Sequence, residues 1–399
     1  MTLDGQTREY PLYLRQRSNT YAFSPDGATL ALFSHFPHGT TLDGLNETNV
    51  PELADETAAK AVTKLAIEGN FAPTHISGIK GKQSSLLANL SAISLPDFAG
   101  TIPSGGWVQE GVLYQSQWLT SFEAPLLTGI GSHAFYECKN LTSVIIPSAT
   151  TVERGAFRYC EKLALLDLPR ATSIGTDGFR DCKGLTDLNA PLLTSTGDEV
   201  FRGCALLGTV HVPLLKTMGY GTFHDCAAMT TIELQEPTSL GNSMFQGCKS
   251  LTSAIIPNVK TFGQSAFRNC EKLLLADLPS ATTIAADVFR TCKALTAVDA
   301  PLVTSIGQEA FEGCPALATA RFGAVSSFGS RVFQGVKSDF SLAIDIPETS
   351  ASIPGNMFGN NNIAAASGMT LYVPDPPATG ATWGGVTWGA VKNYSLWPY

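Results

Sequence analysis

All nine cysteines of this chain fall on one interval: Cys138, Cys160, Cys182, Cys204, Cys226, Cys248, Cys270, Cys292 and Cys314 are each 22 residues from the next. A phenylalanine stands three residues before every one, from Phe135 to Phe311, and Phe333 continues the series without its cysteine. A fixed period of about 20–29 residues means one structural unit per repeat, each stacked on the last. Because a coil contacts only its neighbours, 399 residues then predict one extended array instead of two or three separate globules.

The coil from Phe157 to Gly178, FRYCEKLALLDLPRATSIGTDG, carries its apolar residues at Phe157, Cys160, Leu163, Leu166, Leu168, Ala171 and Ile174. Leu166-x-Leu168 alternates as a strand with one buried face must. Pro169 cannot donate to a ladder and stops that strand. Proline recurs in the same slot at Pro125, Pro147, Pro191, Pro213, Pro257, Pro279 and Pro301. Thr172–Ser173 and Ile174-Gly175 then read as a turn. The piece leading into the cysteine fits one short helical or 3₁₀ turn and is too brief for an average helix. Each coil has an apolar face that only the next coil can cover. The reading is a repeat solenoid with a parallel β-sheet on its concave face and short 3₁₀ or helical turns on its convex face, rising about 4.8 Å per coil.

Stacking turns like residues into internal files, so the cysteines read as small buried hydrophobes. Disulfides are the rival. Adjacent thiols one coil apart are within reach, but their Cβ vectors would run parallel, and nine leaves one over. Zinc needs four converging ligands, and a line of single thiols does not converge.

A longer period lies over the first. CKNLTSVIIPSATTVERGAFRYCEKL, from Cys138, returns as CKSLTSAIIPNVKTFGQSAFRNCEKL, from Cys248, a shift of five coils. Upstream the pattern loosens: Leu113 and Ser116 occupy the Phe and Cys slots, and Val62-x-x-Leu65-x-Ile67 is an irregular coil after the amphipathic, helix-like stretch ELADETAAKAVTKL. Residues 1–55 read as a strand-rich extension or small subdomain around the Ser24-Pro25-Asp26-Gly27 turn. Residues 56–112 read as capping repeats, 113–340 as the regular array, and 341–399 as an irregular repeat and cap. Trp383, Trp388 and Trp397 belong to that cap, with a carbohydrate or partner contact as their other reading.

The run IPSATTVERGAFRYCEKL resembles the BspA-like leucine-rich repeats of bacterial surface antigens, whose coils share P-x-x-x-x-I-G-x-x-A-F-x-x-C-x-x-L. The resemblance covers residues 85–340 or so. It implies exported, cell-surface or extracellular proteins that bind host proteins or other cells, with no catalytic residues to carry over. The first 30 residues lack the apolar core of a secretion signal, a departure from that pattern. No stretch approaches 18 consecutive apolar residues, so no transmembrane helix is expected. A net charge of −8 without a clustered basic face argues against nucleic acid.

No nucleophile, base and orienter recur together among the six histidines, and phosphate-loop and dinucleotide motifs are absent, so neither an enzyme nor a cofactor is expected. The outward slot between the last two buried strand residues holds Glu123, Asp167, Asn189, His211, Glu233, Asp277, Asp299 and Arg321, with Ile145 and Ile255 among them. This row is the candidate ligand-binding surface, a groove of acidic character for a protein or glycan, host-derived ligands included. Simple solvation is the plainer reading. Calcium at Asp277–Asp299 is weaker, since the row lacks clustered oxygens. On the other side, Arg158, Arg180, Arg202, Arg268 and Arg290 form a stripe that Asp181, Asp225, Glu161 and Glu271 can pair. Two functions follow: a non-enzymatic binding or adhesion protein, or an assembly subunit of a virion or appendage with the array as its recognition arm.

Overall fold

The computed structural model describes residues 21–23, 29–32, 62, 64–67, 91–102, 104, 113–345, 354, 356–359, 369–374, 376, 382–383, 386–393, 395 and 397. They form two compact units, residues 1–171 and 172–399. Most of the ELADETAAKAVTKL stretch lies outside the described residues, but its end is extended, with Lys64–Ile67 a strand.

In the first unit, Thr29–Leu32 pairs in parallel with Lys64–Ile67, which is followed in one sheet by Ala92–Ser94, Ser121–Glu123 and Ser143–Ile145. Tyr21–Phe23 closes its edge by pairing antiparallel with Thr29–Leu32. The expected strands around the Ser24–Gly27 turn therefore join the sheet of the array itself. In the second unit the same parallel register links Asp187–Asn189 to Thr209–His211 and Thr231–Glu233 to Ser253–Ile255. These are separate short sheets, and a further six-stranded one runs from Leu275–Asp277 through Ala297–Ala300, Thr319–Phe322, Ser341–Ile344 and Thr370–Val373 to Ala390–Asn393.

A second parallel sheet stands where a turn was expected. Thr101–Ile102, Gly129–Ile130 and Thr151–Val152 pair in the first unit. Ser173–Ile174, Ser195–Thr196 and Thr217–Met218 do so in the second, as do the two-residue strands from Ser239–Leu240 to Ser327–Phe328. Threonine hydroxyls reinforce the stack at positions just outside the strands: Thr150 donates to the Thr128 carbonyl, Thr194 to Thr172 and Thr304 to Thr282.

The opposite side of the coil holds no 3₁₀ helix among the described residues, and its amides explain why. His133, Phe135 and Glu137 send their N–H groups to the carbonyls of Arg154, Ala156 and Arg158 one coil on, at 2.8–2.9 Å. Ala134, Tyr136 and Cys138, between them, close three-residue turns within their own coil. A 3₁₀ run needs every amide to bond inside the coil. Half of them are turned along the stack instead, by two left-handed residues per coil. His133 and Glu137 have φ of 57°, and the slots recur as Glu199 with Gly203 and Glu309 with Gly313. At Gly203 a side chain would also collide, because its Cβ would lie 2.4 Å from Oδ1 of Asp181.

The core is a set of files. In the second unit Phe179, Phe201, Phe223, Phe245, Phe267, Phe289, Phe311 and Phe333 stack with centroids 5.2–5.7 Å apart and planes within 18°. That is offset stacking, which adds about 0.5–1.5 kcal/mol per pair to burial. Phe358 arrives 25 residues after Phe333 yet takes the next slot, since the Phe333 amide donates to Met357 and the rings lie 6.0 Å apart. Buried Trp388 meets Phe358 edge-on at 5.5 Å and ends the file.

All nine cysteines are free and buried. The thiols of Cys160, Cys204, Cys226, Cys248, Cys270, Cys292 and Cys314 donate to the carbonyl of the phenylalanine in the coil before, as Cys204 does to Phe179 and Cys226 to Phe201 at 3.2 Å, and Cys138 donates to Leu113, which holds the phenylalanine slot. The disulfide reading is thereby excluded: all nine thiols are free, and carbonyl oxygens take those of Cys138, Cys204 and Cys226 among others.

Candidate functional site

The strand pleat sets the candidate row. In Asp187–Asn189 the middle residue is buried and both neighbours are exposed, and Thr231–Glu233 repeats the pattern. Every residue of the predicted row sits on that outward side. Glu123, Ile145 and Asp167 lie in the first unit, and Asn189, His211, Glu233, Ile255, Asp277, Asp299 and Arg321 lie in the second. Parallel pairing places Asn189 beside His211, Glu233 beside Ile255, and Asp277 beside Asp299. Ile145 and Ile255 leave half their surface in solvent, an exposure that a core role would not permit.

Not all the acids in the row present open charge. Glu123 is approached by Lys64 and Ser94, each at 3.4 Å. Glu233 accepts from the Gln235 amide at 2.9 Å. Asp299 and Arg321, one coil apart and in register, form a two-pronged ion pair with Nε–Oδ1 at 2.6 Å and Nη2–Oδ2 at 2.7 Å. The row is therefore mixed in polarity, and at its Arg321 end the charge of Asp299 is compensated.

At that end the sheet carries a notch of about 390 Å³. Its floor is Thr296–Asp299 with Ala318, Thr319 and Arg321, and Trp397 supplies a wall. The indole of Trp397 meets Tyr372 edge-on at 5.0 Å, and Lys392 holds the Tyr372 ring with its ammonium 5.7 Å from the centroid. Sequence reasoning assigned Asp299 and Arg321 to the row but gave no signal that Trp397, 76 positions beyond Arg321, stands over them.

The arginine stripe is satisfied differently from expectation. Arg180 contacts Asp181 at 3.5 Å as anticipated, but it also binds Asp177 at 3.2 Å and the buried Glu199, which binds Arg202 as well. Five coils on, Arg290 repeats this with Asp287 and the buried Glu309, which also takes Arg331. Of the other anticipated partners, Glu271 pairs with Lys293 and Asp225 with His224. Arg158 lies over the Tyr159 ring, 4.8 Å from its centroid. These groups are committed to the fold.

Titrating side chains point the same way. Burial pushes the thiols of Cys160, Cys204, Cys226, Cys248, Cys270, Cys292 and Cys314 up, Cys314 to about 12. A thiol held neutral is a poor nucleophile. Burial also lowers the pKa of His224. Among the described residues no three His, Cys, Asp or Glu side chains gather as a metal site. No described helix is long and apolar enough to cross a membrane.

With the coil geometry in hand, comparison with known families is decisive. A model of the BspA type leucine rich repeat region matches in six copies, over residues 107–227, 172–296 and 275–369. The chain belongs to the BspA-type leucine-rich repeat family. The BspA-type fold is shared by a leucine-rich repeat protein from Bacteroides ovatus, 17% identical, over 77% of this chain and 85% of that one, with a TM-score of 0.53. A leucine rich cell surface protein from Faecalibacterium prausnitzii is 19% identical over 83% of each chain, with a TM-score of 0.39. No curated protein matches by sequence. Membership of the family suggests a protein-interaction or surface role, and the repeat fold is typically non-catalytic.

Proposed function

We propose that this BspA-type protein is a non-enzymatic binding or adhesion protein, displayed at the cell surface or secreted, that engages a protein or glycan ligand through the outward row of its long-strand sheet. The observation that carries this reading is a series of equivalent strand positions whose outward residues change chemistry from coil to coil. His211, Glu233, Ile255, Asp277 and Asp299 follow one another on equivalent positions. A rigid scaffold presenting varied side chains at regular spacing is what selective recognition of a macromolecule requires. Surface roles among BspA-type proteins support the location.

The test is a binding screen of the intact chain against extracellular matrix proteins and glycans, followed by the double substitution Glu233→Lys with Asp277→Lys. Loss of a hit by at least tenfold supports the row, since each rim charge contributes on the order of 1 kcal/mol. Unchanged affinity moves the site elsewhere. A stable homo-oligomer that covers the row, seen by mass measurement, would favour the assembly-subunit function instead.

A further inference from the structure

We infer that the notch between Asp299, Arg321 and Trp397 is a subsite for one neutral pyranose ring of a glycan; this rests on the long-strand sheet being the binding face.

Three features of the notch select that chemistry. Its volume of about 390 Å³ lies at the low end of small-molecule sites, roughly 300–1,000 Å³, and suits a single ring. Trp397 lines the notch with an aromatic side chain, the kind of group against which the C–H face of a sugar packs, and it meets Tyr372 edge-on. Beside it, the Asp299–Arg321 pair sets a carboxylate acceptor next to guanidinium donors, the arrangement that vicinal hydroxyls, each both donor and acceptor, can match. Thr319 adds a hydroxyl to the lining.

The same pair argues against other occupants. Its two charges compensate, so an anionic group would meet Asp299 and a cationic one Arg321. A purely apolar ligand would strip water from an ion pair and return no hydrogen bond. A neutral polyhydroxylated ring avoids all three costs.

The experiment is ligand-observed saturation-transfer NMR on the full chain. The probes are neutral trisaccharides of glucose, galactose, mannose and N-acetylglucosamine, with a sialylated trisaccharide as the charged comparison. At least one neutral probe should bind through a single ring, and the sialylated one should not be preferred. Trp397→Ala should weaken binding about tenfold, the scale of an aromatic contact. Trp397→Phe should retain most of it. Arg321→Lys, which loses the planar fork, should weaken it similarly. Ala297→Trp, which leaves wall and pair in place but fills the notch, should abolish it in a chain whose circular dichroism is unchanged.

Failure of every neutral probe to bind, preference for the sialylated one, or binding indifferent to both Trp397→Ala and Ala297→Trp would overturn the subsite. If Glu233→Lys with Asp277→Lys removes a protein ligand while no sugar ever binds, the subsite falls and the wider reading of the face stands. If the notch binds sugar and the row variants affect nothing, the subsite stands and the contacts of the face are confined to its Arg321 end.

Discussion

Two files run along the second unit in the same register, and they follow opposite rules. The inner one repeats Phe201, Phe223, Phe245, Phe267 and Phe289 without variation, each ring stacked on the next. The outer one, on equally regular strand positions, reads His211, Glu233, Ile255, Asp277 and Asp299. Inside, a residue's environment is its own copy in the adjacent coils, so any change of volume leaves a void or a clash on both sides. Outside, water accepts any side chain. Spacing therefore defines the scaffold and variation marks the surface open to function.

The largest effect expected from the inner files is collective. Thiols raised well above their unfolded values stay neutral in the fold, while the unfolded chain ionises near 8.5. The stability they contribute is complete below that pH and is lost as pH climbs toward the folded values, about 12 for Cys314. Each such thiol costs about 1.4 kcal/mol per pH unit in that window. All the buried thiols act in the same direction, so unfolding on alkaline titration is expected by circular dichroism. Replacing Cys226, Cys248 and Cys270 by alanine should flatten the pH dependence, and an unaltered slope would refute the linkage.

Next in size, Phe245→Ala should cost about 3–5 kcal/mol in urea unfolding, because neighbouring rings cannot close the gap. Glu199→Gln, which leaves Arg180 and Arg202 facing a neutral amide, should cost about 1–3 kcal/mol. A loss below about 0.5 kcal/mol would place that network among ordinary surface pairs. Smallest of all, Glu233→Lys with Asp277→Lys should shift stability by no more than about 0.5 kcal/mol per site while altering binding. A large stability loss there would erase the distinction between the files.

Much of this was legible in the residues. Cys204 and Phe201 announced the coil, Leu166-x-Leu168 its strand, and the outward row followed from the pleat. Other features escaped for identifiable reasons. Ser173–Ile174 carries a turn-like sequence and is extended because the equivalent Ser195–Thr196 pairs with it one coil away. The left-handed slots are filled by Glu199, Asp287 or Arg331 as readily as by glycine, so composition does not mark them. Glu199 and Glu309 meet arginines in neighbouring coils, contacts that lie 19 and 22 residues away in sequence for Arg180 and Arg331.

The period alone dictated that coils stack, which side chains lie inside, and that the cysteines form an interior file, because in-register repetition leaves each apolar face no other cover. Only the folded chain decided that half the turn amides point along the stack, and that Trp397 returns to stand over Asp299 and Arg321. Those outcomes depend on hydrogen-bond direction and on a chain end meeting a distant coil, and neither has a signature in local sequence.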